Sequence, residues 1–149
     1  LHREELIVSE SLTEELLNEL VSSPNLDDFL DEHQQDMTDH TLSDYLQQLL
    51  AEKHLKQSRV VRMSGLAEHY GREIFSGKKC HPDRDKVLSI AFAMALDCRE
   101  TNRLLIAAGV STLYPKSRRD AIIIFCLDRG CSLQKVNEEL YHFDEQTIC

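Results

Sequence analysis

The chain has 149 residues and a mass of 17.2 kDa, enough for one ordinary domain or two small ones. An apolar fraction of 42% and a charged fraction of 29% allow a packed core, while five Gly and three Pro are too few for the turns of a β-sandwich or barrel. The formal net charge is −9, no apolar run approaches the ~18–20 residues of a membrane span, Leu1 opens no signal-peptide pattern, and five scattered Cys suit a reducing cytoplasm better than a disulfide framework.

Leu12, Leu16, Leu17, Leu20 and Val21 follow the helical period until Pro24 stops the run. Asn25 then caps a short turn, with Leu26, Phe29 and Leu30 as its apolar side. Residues 31–40 are polar and read as a linker. Residues 1–40 together form an acidic arm in which twelve carboxylates face one base, Arg3. Thr41 caps the next helix, whose face is Leu42, Tyr45, Leu46, Leu49 and Leu50. A short helix over 57–64 turns Val60 and Val61 inward, Gly65 makes the turn, and a second helix covers 67–75 and ends at Gly77. Residues 78–82 are a basic loop closed by Pro82. From 53 to 86 nine bases stand against four acids, an asymmetry that points to nucleic-acid contact or to masking by the arm; solvated helix faces would give the same composition.

Asp83 caps a helix carrying Val87, Leu88, Ala91, Met94 and Ala95. Asp97 and Glu100 are spaced as a capping box ahead of Thr101, Leu104, Leu105 and Ala108, with Gly109 past the end. Ser117 and Gly130 flank an apolar run over 121–127 and favour helix over buried strand. Ser132 caps the last helix, with Leu133, Val136 and Leu140 on one side. A faint repeat with an offset of 35 aligns Arg84-Asp85 with Arg119-Asp120, Val87-Leu88 with Ile122-Ile123, Asn102 with Asn137 and Leu105 with Leu140. Two such helical hairpins would stack and share a core, although chance similarity between amphipathic hairpins would look alike.

Leu55, Gln57, Gly65, Ile74, Gly77, Lys78, Lys79 and Pro82 fall in the order of a leucine and glutamine opening one short helix, a glycine turn, a second helix, then a Gly-Lys-Lys loop ending in proline. Over residues 42–96 this resembles the lambda-repressor-like (XRE-type) helix-turn-helix domain of bacteria. The resemblance implies an all-α fold in three parts: an acidic helical arm and linker (1–40), the helix-turn-helix domain (41–96), and C-terminal helical hairpins packed on it (97–149). It implies a cytoplasmic, non-enzymatic transcription regulator of double-stranded DNA, with the helix over 67–75 in the major groove. Carried over by position, Glu68, His69 and Glu73 fall where the family reads bases, with Arg72 beside them; Gln57, Lys78 and Lys79 would hold phosphates. Gly71 stands where the family packs an apolar side chain, and Tyr70 is placed to fill that space. The competing reading is a protein-interaction adaptor that keeps the fold without reading DNA. A protein partner and a homodimer are the other associations considered; no cofactor, metal or membrane is expected.

Other constellations carry less. Cys80-His81 has no second ligand pair at metal spacing, Cys126 and Cys131 read as packing thiols, and His33 and His40 among acids read as a polar linker. Residues 114–119 are basic and read as a charged helix start. Catalytic fingerprints such as G-x-S-x-G or a Walker loop do not occur.

The arm's acids, on one chain with a basic segment, are expected to lower non-specific DNA affinity. Deleting residues 1–40 should therefore tighten binding to random duplex, most at low salt. Unchanged low-salt affinity would make the arm purely structural.

Overall fold

The computed structural model describes residues 15–33 and 41–149. Among them every regular element is helical and none is a strand. The chain divides into two units, Leu1–Asp39 and His40–Cys149.

In the first unit, α1 covers residues 15–22 and α2 is Leu26–Glu32. Asn25 caps α2 by accepting from the Asp27 amide at 2.9 Å, so the expected short turn is a two-turn helix. Phe29 is buried and stacks on His33, but Leu17, Leu20, Val21, Leu26 and Leu30 are exposed. The helical period correctly places these leucines on helices without giving most of them a partner. Leu12 and residues 34–40 of the expected linker lie outside the described residues.

The second unit holds α3 (Leu42–Lys53), α4 (Gln57–Ser64), α5 (Glu68–Ser76), α6 (Arg84–Ala93), α7 (Cys98–Ala107), α8 (Arg118–Asp128) and α9 (Leu133–His142). Thr41, Ser117 and Ser132 each accept a backbone N–H at their helix start, and Asp97 with Glu100 forms the complete capping box. Asp83 is an N-cap by backbone only; its side chain makes no cap hydrogen bond. The apolar run over 121–127 is helix. Leu46, Leu49, Val60, Ile74, Val87, Leu88 and Ala91 are all buried in one core, which runs unbroken past residue 96 to Leu140 and Ile148.

The offset-35 repeat is a structural one. In each hairpin an asparagine Oδ1 accepts a backbone N–H from the exit segment: Asn102 from Leu113 at 2.9 Å, Asn137 from Ile148 at 2.7 Å. The helix ends match as well, with Leu96 N–H donating to Ala91 and Cys131 N–H donating to Cys126. The two arginines of the repeat bind alike and cross over. Arg84 donates to the carbonyls of Ser111 and Thr112, which end its own hairpin, and forms a bidentate pair with Asp120 at 2.9 and 2.8 Å. Arg119 donates to the carbonyls of Gln146 and Thr147 and reaches Asp85 at 3.0 Å. The hairpins α6–α7 and α8–α9 are thus joined by a reciprocal exchange.

Asp120 also accepts the Tyr114 amide at 2.9 Å. Burial would raise its carboxyl pKa, but the Arg84 and Tyr114 hydrogen bonds and the charges of Arg84 and Arg119 outweigh that and hold it below the usual value. The ion form is therefore favoured in the folded state. This contribution is present above the ordinary carboxylate range and is lost as pH falls through the lowered value. Removing Arg84 would leave the buried Asp120 carboxylate with only the Tyr114 amide and the more distant charge of Arg119. Arg84→Met is expected to cost about 3 kcal/mol in denaturant unfolding at pH 7 and to lose much of that cost below pH 3; Arg118→Ala, on an exposed pair, should change stability little.

Candidate nucleic-acid interface

The region expected to face DNA is built by α4, α5 and the loop that follows. Gly65, at φ 75°, closes α4 and lets the chain turn directly into α5. The two helices approach so closely that a Cβ on Gly71 would lie 2.5 Å from Val61 Cγ1. Val61 itself therefore occupies the space that Tyr70 was expected to fill. Tyr70 is half-buried instead, with Lys86 Nζ 4.7 Å from its ring centroid. The second turn also needs its glycine: Gly77 has φ 89°, and a Cβ there would meet Ser43 Oγ at 2.9 Å. Lys79 N–H then donates to the Glu73 carbonyl at 3.0 Å and pins the loop to the end of α5.

The expected site residues separate into three groups. Gln57 opens α4, and its Oε1 accepts from Gln47 Nε2 at 3.2 Å; that same Gln47 nitrogen donates to the Phe75 carbonyl. Gln57 is thereby oriented by α3 and the end of α5, with its own amide nitrogen still available as a donor. Gln57, Glu68 and Arg72 line one open groove together with Ser58, Arg62, Gly65 and Leu66. Glu73, His69 and Lys78 form a local cluster: His69 Nε2 is 2.8 Å and Lys78 Nζ 3.9 Å from Glu73 Oε1. Glu73 is the least exposed of the three, and its carboxylate lies between the other two side chains. Lys79 is exposed in the loop.

A second groove, lined by Lys56, Ser58, Arg59, Arg62 and Met63, adjoins the first and shares Ser58 and Arg62 with it. Lys56, Arg59 and Arg62 belong to the basic segment but to none of the helix-turn-helix motif positions. Their three-residue spacing, set against the inward pair Val60 and Val61, is the sequence signal that marks them as one outward row. Among the described residues, no carboxylate lies within 4.0 Å of Lys56, Arg59, Arg62, Arg72 or Lys79 to form an ion pair.

The remaining motifs have local structural partners. His81 Nδ1 lies 3.1 Å from the Ala108 carbonyl, and Cys80 Sγ donates to the Gly77 carbonyl. Cys126 is buried near Cys131; burial first, then that neighbour, pushes its thiol pKa up to about 11, which leaves it protonated and unreactive. In the first unit, ligand-type atoms of Glu19, Glu32 and His33 lie within 4.8 Å of one another, a geometry that exposed acids adopt without any ion. Among the described residues no helix is long and apolar enough to cross a membrane. No family model, curated protein or solved structure matches the chain.

The Gly71–Val61 approach is directly testable. Alanine would ordinarily favour a helix interior over glycine by about 1 kcal/mol, but the valine methyl it would meet belongs to a stiff β-branched side chain. Gly71→Ala is expected to be destabilising by about 1–3 kcal/mol in chemical denaturation. Val61→Ala in the same chain should recover part of that loss, since the two positions share one space.

Proposed function

We propose that the chain is a non-enzymatic regulator that binds double-stranded DNA through α4, α5 and the 77–82 loop, in the manner of a lambda-repressor-like helix-turn-helix protein of the bacterial cytoplasm. The observation that carries the reading is the set of exposed cations Lys56, Arg59, Arg62, Arg72 and Lys79, none of which has a carboxylate within ion-pair distance among the described residues. Supporting it is the rigid pairing of α4 and α5, which holds Arg72 and the start of α5 beside Gln57. In this reading α5 enters the major groove with Glu68, His69 and Arg72 toward the bases, and Gln57, Lys78 and Lys79 hold phosphates. Glutamate accepts from the cytosine amino group, which gives Glu68 a chemical role there. Glu73 has a different part: it steadies His69 and Lys78.

The adaptor reading draws on one feature, the exposed Glu68 carboxylate within the same groove as Arg62 and Arg72. A mixed-charge groove of that kind also suits a protein ligand.

Anisotropy titration of labelled duplex against salt separates the two. Lys78→Ala with Lys79→Ala should weaken binding to all sequences alike and flatten the salt slope by about one unit for each phosphate left without its lysine. Unchanged affinity and slope would remove the loop from the interface. An intact chain that ignores duplex at low salt would leave the adaptor.

A further inference from the structure

Two cations of the row Lys56, Arg59 and Arg62 are poorly placed for folding, while Arg62 stands in the last turn of α4, where the dipole favours a cation. Lys56 is the N-cap of α4 and Arg59 lies in its first turn, where the positive end of the helix dipole disfavours cations. The helix itself contains no acidic residue to compensate, and Lys56 offers no side-chain cap to the open amides. Three like charges at three-residue steps also repel one another along the helix surface. All three side chains are exposed, so none is held there by burial. Two cations set against their own helix, in a row with no ion-pair partner among the described residues, point to a surface kept for a ligand. The charge is continuous with Arg72, because the two grooves meet at Ser58 and Arg62.

We infer that the outward face of α4, through Lys56, Arg59 and Arg62 with Arg72 beside it, tracks a nucleic-acid phosphate backbone without regard to sequence and supplies more of the affinity than α5 does. The inference rests on the DNA-binding reading and goes further, since it moves the centre of binding from the reading helix to the helix before it. Charge complementarity selects the partner. A row of cations flanked by the hydrogen-bonding side chains Gln57 and Ser58, with Met63 as its one large exposed apolar residue, matches a repeating anion better than a protein surface with an apolar centre. The acids of α5 fit this division: Glu68 and Glu73 lie off the row and would add little to backbone attraction.

The test uses the full chain, a labelled random duplex of about 20 base pairs, and a second duplex of scrambled sequence. Changing Lys56, Arg59 and Arg62 together to Ala should lower the salt slope by about 2.7 units, about 0.9 for each phosphate contact, and weaken binding about a hundredfold near 0.1 M salt. The intact chain should bind both duplexes within about threefold. Arg59→Glu should weaken binding while raising the melting temperature, because an acid suits the first turn of a helix. That opposite movement separates a ligand-binding role from loss of fold. A triple variant with unchanged slope would overturn the inference and leave the DNA-binding reading standing. Failure of the intact chain to bind either duplex at low salt would overturn both. Stronger competition by a polyglutamate peptide than by unlabelled duplex would assign the row to an acidic protein and overturn the nucleic-acid partner.

Discussion

The crossed exchange between Arg84 and Asp120 and between Arg119 and Asp85 is the constraint on which the larger unit is organised. Each guanidinium does two jobs at once. It satisfies two carbonyls at the exit of its own hairpin and reaches the acid at the head of the other one. Only a planar group with several fixed donors can hold such a set; an ammonium in the same place would have the charge but not the fork. The exchange is reciprocal, as at a two-fold interface, although both halves belong to one chain. It also fixes the start of α6, and α6 shares the core with α4. The position of the proposed binding surface is therefore set partly by ion pairs at the far end of another helix.

Packing supplies the second constraint. With Gly71 against Val61, α4 and α5 lie closer than any side chain at position 71 would allow. Close-packed interiors transmit displacements of this size, so the distance between the α4 cations and Arg72 depends on one missing methyl group. Gly77 and the Lys79 amide then fix where the loop leaves α5. The proposed surface would need such fixed spacing to match a duplex, and the spacing comes from backbone approach rather than from the charged residues themselves.

Much of this was legible in the sequence because it is local. Caps at Thr41, Asp97, Ser117 and Ser132 and the glycines at 65, 77, 109 and 130 act within a few residues of themselves, and each stands at a helix end. The period of Leu46, Leu49, Val87 and Leu88 gave their face, and the shared core gave it a partner. The repeat showed in its spacing, but spacing alone does not say that Arg84 pairs with Asp120 rather than with its neighbour Asp85; that is a matter of how the hairpins meet. Leu17, Leu20 and Val21 show the converse, a regular period with exposed side chains. At the site, the i,i+4 spacing of His69 and Glu73 on α5 allows their contact, but the approach of Lys78 to Glu73 depends on the chain turning back after Gly77. The α4 row showed in its three-residue spacing, but the lack of ion-pair partners among the described residues is a matter of the fold.

The contrast between two sets of arginines brings these threads together. Arg84 and Arg119 are the same residue type as Arg59, Arg62 and Arg72, and they share a chain with a large surplus of acids. With 26 carboxylates to 17 bases, ion-pair partners are not scarce. Where positive charge serves the scaffold, it is partly buried and matched to an aspartate with short hydrogen bonds. On α4 and at Arg72 of α5 it is exposed and has no ion-pair partner among the described residues, and the dipole of α4 opposes part of it. Breaking a pair of the first set would strand a partly buried charge, whereas Lys56 and Arg59 of the second stand where the helix dipole disfavours a cation. It is this contrast that the proposed DNA-binding reading draws on, since a partner with evenly spaced negative charge would complement the second set as the aspartates complement the first.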